Sequence, residues 1–237
     1  MKKVGGVVYV TADEMRLLDE RTIEGFSIDV LSLMENAGLQ SALVAAKLLG
    51  GEPRGKSVAC LTGKGNNGGD GLVASRHLRD WGAEITLVLA APRGSLSGVP
   101  AAQMAPLERA GVPLTGPETP LSGFSLLIDA LLGYNARGDP REPLAGMIRR
   151  ANSSGVPILA LDLPSGLDPT TGDPFEPCIE ATATVTLGLP KIGFLNPRAK
   201  KYIGDLYLAD ISIPPEVYSE FSQPPGLFSG GCLMRLR

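Results

Sequence analysis

Gly63-Lys64-Gly65-Asn66-Asn67-Gly68-Gly69-Asp70-Gly71 is the stretch on which the fold of this chain turns. It places five glycines in nine residues between the apolar run Ser57-Val58-Ala59-Cys60-Leu61 and Leu72-Val73-Ala74-Ser75-Arg76-His77-Leu78, whose apolar positions recur at helical spacing. That order reads as strand, glycine-rich loop, helix. Glycine lacks a Cβ, so such a loop brings bare N–H groups close to a ligand, and the helix start favours an anion. The loop is not a Walker loop, since Lys64 stands at its front and no Lys-Ser or Lys-Thr closes it. A G-x-G-x-x-G spacing exists at Gly63, Gly65 and Gly68, but it is weak in a chain with 30 glycines. Asn66, Asn67 and Asp70 add two amides and a carboxylate, suited to sugar hydroxyls, an amide or a hard cation. The plain alternative is a tight βα turn built from turn-forming residues.

Outward from the loop, the pattern repeats. Glu84 to Ala90, Leu126 to Ala130, Pro157 to Leu161, Ala181 to Leu187 and Asp205 to Ala209 read as strands. Helices are expected from Thr11, whose capping box with Glu14 opens a segment to about Gly25, and over Asp29 to Leu49. Further helices are expected over Ala101 to Ala110 and Glu142 to Asn152. In the second helix Val30, Leu31, Leu33, Met34, Ala37, Leu39, Leu43 and Ala46 form the expected buried stripe. Alternating strands and helices predict an α/β fold, a mainly parallel sheet covered on both faces. The loop at residue 63, Asp129 and Asp162 would then line one edge of that sheet, where ligands of parallel sheets gather. Residues 213–237, rich in Pro, Gly and Ser, read as a loosely attached C-terminal tail after a domain of residues 1–212.

Composition bounds the function. At 237 residues, 43% hydrophobic and 20% charged, the chain is an ordinary globular one. A net charge of −3 gives no reason to expect nucleic acid or an anionic membrane as partner. Cys60, Cys178 and Cys232 are scattered and without metal spacing, which predicts a reduced, cytoplasmic setting. No run has the length of a membrane span. His77, the single histidine, lies inside the helix after the loop and reads as a packing or surface residue. Lys64 and Lys191 are either phosphate contacts or solvated lysines. Asn67, Asp129 and Ser165 together offer the oxygens a hard cation prefers.

Five short segments carry a resemblance: Met34-Glu35-Asn36-Ala37-Gly38, Gly65 to Gly71, Asp129-Ala130-Leu131-Leu132-Gly133, Asp162-Leu163-Pro164-Ser165-Gly166 and Gly188-Leu189-Pro190-Lys191. In this order, over roughly residues 8–212, they resemble the NAD(P)HX epimerase, or YjeF N-terminal domain, family. The resemblance implies a Rossmann-like three-layer αβα sandwich acting on NAD(P)HX, reduced nicotinamide cofactor hydrated at C6. It implies interconversion of the R and S epimers, so that a separate S-specific dehydratase can restore NAD(P)H. It assigns substrate contacts to Asn66, Asn67, Gly68, Gly69, Asp70, the loop Gly133-Tyr134-Asn135-Ala136-Arg137-Gly138-Asp139, and Asp162. It assigns one potassium ion per subunit to Asn67, Asp129 and Ser165. Inversion at C6 needs C–O cleavage and readdition from the other face, hence an acid and a base. Asp162 is the candidate for both.

The chain departs from the family at Tyr134-Asn135, where Thr-Gly is common. Arg76, Arg79 and Arg137 are the candidates for a ribose phosphate. A homodimer through the N-terminal helices is expected from their surplus of apolar residues. The competing readings are a non-catalytic dimerising scaffold of the same fold and a sugar or nucleotide kinase relative.

Overall fold

The computed structural model describes residues 1–236; Arg237, assigned above to the tail, lies outside them. The chain opens with an antiparallel ribbon, β1 (Lys2–Val4) and β2 (Val7–Tyr9), turned at Gly5 and Gly6. Strands of three residues are too short to register as an alternation, so this ribbon is silent in the sequence. Thr11 starts α1 (Ala12–Glu20) with both halves of the capping box: its hydroxyl accepts from Glu14 N–H at 3.2 Å, and Glu14 Oε2 accepts Thr11 N–H at 2.8 Å. One π turn over Arg21–Gly25 carries the helix to its expected end.

Asp29 caps α2 (Val30–Leu48) by accepting from Leu31 N–H at 3.0 Å. Leu33, Met34 and Ala37 of the expected stripe are buried, but the rest of the buried face differs from it. Leu31 and Leu43 are 40% and 45% exposed, while Gly38, Ser41, Ala42 and Ala45 are buried. A hydropathy stripe follows large apolar residues, but this contact is a seam of small ones. A Cβ at Gly38 would stand 2.4 Å from Val73, so the two helices approach too closely for leucine.

Next come β3 (Ser57–Thr62), α3 (Asn66–Asp80), β4 (Glu84–Leu89), α4 (Gly98–Arg109) and β5 (Leu114–Thr115). They are followed by β6 (Leu126–Ala130), α5 (Leu144–Ser153), β7 (Ile158–Leu161), β8 (Ala183–Leu187) and α6 (Lys200–Ile203). The described chain closes with β9 (Asp205–Ala209), α7 (Pro215–Glu220) and β10 (Leu233–Arg235). The main sheet runs β10-β9-β8-β7-β6-β3-β4-β5, parallel throughout except for β10 against β9. Alternation on β3 sends Val58 and Cys60 into the core under α2, α3 and α4, and Ala59 and Leu61 into the core under α5. This is the three-layer α/β sandwich read from the sequence. From β3 the chain winds outward to β4 and β5, then returns to β6 and winds the other way. The switch point therefore lies between β3 and β6, where a doubly wound sheet opens its ligand crevice.

The expectation of a loose C-terminal tail is corrected. Val217, Tyr218, Phe221 and Gln223 are buried, the Gln223 amide accepts Val8 N–H at 2.8 Å, and β10 extends the sheet. High Pro and Gly content marks turns here rather than detachment.

Candidate functional site

A cavity of about 670 Å³ opens at the carboxyl ends of β3, β6 and β7, beneath α1 and α2. The glycine loop forms one wall. A Cβ at Gly63 would lie 2.0 Å from the Leu131 carbonyl oxygen, and one at Gly68 would lie 2.1 Å from the Gly63 carbonyl oxygen. These glycines exist because backbone meets backbone there. Gly69 abuts Met34 of α2, so the Met34-Glu35-Asn36-Ala37-Gly38 segment packs on the helix that follows the loop. Glu35 holds that packing by accepting from Arg76 at 2.5 Å and sitting 2.8 Å from His77 Nε2. Its carboxyl lies below the usual range: burial pushes upward, and the bonds from Arg76 and His77 outweigh it. His77 is thus a packing residue, as expected.

Asp162, directly after β7, has φ of 64°, a left-handed conformation that few side-chain-bearing residues adopt. Its N–H is held by Val185 O at 2.7 Å, and its carboxylate forms an ion pair with Lys191, which is 0% exposed. The Lys191 ammonium also donates to Thr186 Oγ1 and Leu187 O, each at 3.3 Å. Both sequence readings of Lys191, phosphate contact or solvated lysine, are corrected: its three protons are used inside the protein.

Behind the cavity wall, Asp129 is fully buried. Its Oδ1 accepts from the Ser165 hydroxyl at 2.6 Å and its Oδ2 from Ser165 N–H at 2.8 Å, and burial still pushes its pKa up to about 6. Asn67 donates to Leu132 O at 3.0 Å, which leaves its buried Oδ1 without a partner. Such an orphaned oxygen costs about 1–3 kcal/mol unless something meets it.

Asp19 of α1 is a cavity residue that the sequence reading missed. Its Oδ2 accepts from the Tyr134 hydroxyl at 2.6 Å, and burial raises its pKa to about 6. Its signal was weak: it lies four residues after the buried Met15, on the inward face of α1. Tyr134 also presents its ring to Lys191, with Nζ 5.7 Å from the centroid. Asp70, 9% exposed, lines the cavity too, and burial, followed by the charges of Asp162 and Asp19, raises its pKa well above the usual carboxylate range.

Of the residues expected to touch substrate, Asn66, Asn67, Asp70, Gly133, Tyr134, Asn135, Ala136 and Asp162 line the cavity. Gly68 and Gly69 shape the backbone behind it, and Arg137, Gly138 and Asp139 are exposed outside it. Asp139 instead accepts Glu176 N–H at 2.9 Å. The three candidate arginines are engaged elsewhere: Arg76 with Glu35, Arg79 with Asp80 at 3.2 Å, and Arg137 with Tyr134 O at 2.8 Å.

The fold and the crevice define a doubly wound α/β protein with its ligand site at the switch point. The chain belongs to the family described as YjeF-related protein N-terminus, which it matches over residues 30–193. It is 36% identical to the NAD(P)H-hydrate epimerase of Dehalogenimonas lykanthroporepellens over 96% of this chain and 92% of that protein. It is 34% identical to that of Rhodopirellula baltica, over 94% of this chain and 91% of the other. The Pyrobaculum aerophilum protein named bifunctional NAD(P)H-hydrate repair enzyme is 38% identical over 93% of this chain, which spans 44% of that longer protein. A yeast protein of known crystal structure superposes with a TM-score of 0.83 over 97% of this chain and 100% of the other; at 24% identity this likeness is one of fold. No helix among the described residues is long and apolar enough to cross a membrane.

Proposed function

We propose that this protein is an NAD(P)H-hydrate epimerase, an isomerase that interconverts the R and S epimers of NAD(P)HX. The observation that carries the reading is Asp162, held by the buried Lys191 at the floor of a dinucleotide-sized crevice. A scaffold has no use for a buried ion pair presented to a cavity, since such a pair seldom adds net stability. The relatives named epimerase match nearly end to end, and the bifunctional relatives are about twice as long as the part they share with this chain, which supports functional coupling to a dehydratase.

Potassium fits the oxygen set of the site. The orphaned Asn67 Oδ1, the Asp129 carboxylate and the Ser165 hydroxyl would hold it. When bound, a cation offsets the buried charge of Asp129 and ties together the loops after β3, β6 and β7.

The test is the rate of NADH recovery from the R epimer of NADHX with excess S-specific dehydratase, with and without this protein. Acceleration is expected, together with a loss of about 10²–10⁴-fold in Asp162→Asn, whose folding is checked by thermal melt because the change leaves the buried Lys191 ammonium without its carboxylate. Replacing potassium by choline is expected to slow the wild type and lower its melting temperature, with no such response in Asn67→Ala. A folded wild type that gives no acceleration in potassium would overturn the reading.

The assembly that fits the surface is a homodimer. Leu17, Phe26, Leu31 and Leu43 of the N-terminal helical segment are each at least 40% exposed. Light scattering is expected to report twice the chain mass; a monomer at micromolar concentration would refute it.

A further inference from the structure

We propose, resting on the epimerase reading, that Asp70 is the catalytic acid of this site and Asp162 its base, the Lys191 ion pair dividing the two roles. The Lys191 ammonium donates to Asp162, Thr186 Oγ1 and Leu187 O, and nothing about it is exposed. A carboxylate held this way rests as a hydrogen-bond acceptor, so for one epimer the first proton comes from another group. The sequence-based assignment of both roles to Asp162 therefore leaves the leaving hydroxyl without a donor.

The other titratable groups facing the cavity are Lys64, Asp19, Tyr134 and Asp70. Lys64 is exposed at the tip of the loop. Tyr134 commits its proton to Asp19 at 2.6 Å, and burial followed by the Asp19 charge holds that proton tightly. Asp19 is taken up by the same bond. Asp70 remains, 9% exposed and with no cation paired to it among the described residues. Burial and the neighbouring charges of Asp162 and Asp19 favour its neutral form, Lys191 opposing them only as the last contributor. One carboxyl group paired with a buried cation and a second without one, facing the same cavity, are the arrangement of an acid and base pair.

Topology sets them apart in space. Asp70 comes from α3, directly after β3, and Asp162 from the end of β7, with β6 between those two strands in the sheet. A ring lying over the end of β6 shows one face to each. The Asp70 proton passes to the C6 hydroxyl; the C6–O bond breaks with its electron pair on oxygen, and the N1 lone pair closes a C6=N1 iminium. The departing group leaves as water. Water then adds to the opposite face of C6, its electron pair forming the new C–O bond as its proton goes to Asp162. Exchange of one proton between the carboxylates through solvent, on product release, restores the starting state. The reverse epimerisation retraces these steps, beginning with the exchange that moves the proton to Asp162.

The experiment is the coupled assay across pH for the wild type, Asp70→Asn and Asp70→Ser, each checked for folding by thermal melt, with infrared spectra of the resting proteins. The expected result is a kcat loss of about 10²–10⁴-fold with KM nearly unchanged. A fall of wild-type activity at alkaline pH is expected to vanish in the residual activity of the variants. A protonated-carboxyl band at neutral pH in the wild type is expected to be missing from the variants. A variant with wild-type kcat, or a wild type without that band, overturns the Asp70 assignment while leaving the epimerase reading intact. A folded wild type that does not accelerate recovery overturns the epimerase reading, and this assignment with it.

Discussion

Lys191→Met is expected to lower stability by about 3–5 kcal/mol, because it removes the cation from a carboxylate that is 5% exposed. Methionine fills most of the volume of the lysine stem, so the loss measures the charge rather than a cavity. For a chain of this size the melting temperature should drop by roughly 10 °C, taking about 2–4 °C per kcal/mol. The double variant Lys191→Met/Asp162→Asn is expected to recover much of that loss, since no unpaired charge then stays buried, and the coupling appears as non-additivity in a double-mutant cycle. Thermal melts of the four proteins decide the matter. A single variant as stable as the wild type would mean that the ion pair is not what holds Asp162 at its left-handed corner. Activity should fall in the lysine variant as well, because Asp162 loses its only paired cation among the described residues.

The second large effect is expected in the glycine loop, and it is selective. Gly68→Ala forces a methyl to 2.1 Å from the Gly63 carbonyl oxygen, and that atom cannot retreat because Gly63 itself lies against Leu131 backbone. The loop must open, at a cost of more than about 3 kcal/mol, with the cavity wall deformed and substrate binding lost. Gly65→Ala, two residues beyond Gly63 in the same loop, meets nothing within 4 Å and should change stability by less than about 0.5 kcal/mol. Gly69→Ala falls between, because the obstacle is the end of the Met34 side chain, 2.6 Å away and free to change rotamer. Urea unfolding of the three variants reads the order directly. Equal losses at Gly65 and Gly68 would show that the loop needs glycine for flexibility rather than for close approach.

Much of the site was legible before the fold. The glycine loop between a strand and a helix, the aspartates after Leu126-Leu127-Ile128 and Leu159-Ala160-Leu161, and the small-residue segment around Gly38 are local patterns, and each landed at the switch point or against it. Lys191 was not legible in its role. Its partners Asp162, Thr186 and Leu187 come from two neighbouring strands, and a lysine following Gly188-Leu189-Pro190 carries no mark of complete burial. Asp19 was missed because α1 reads as an ordinary amphipathic helix. Its link to Tyr134 spans 115 positions of chain. The same holds for β10, whose three residues owe their extended form to pairing with β9.

The sequence by itself determined the alternation of strands and helices, the capped starts of α1 and α2, the glycine loop and the family. These rest on periodicity, capping and backbone freedom, which act over a few neighbouring residues. Only the tertiary structure decided which carboxylate is paired and which stands without a cation, which glycines are indispensable, and that the C-terminal segment completes the sheet. Burial, ion pairing and close backbone approach depend on distances between residues far apart in the chain, and folding alone sets those distances.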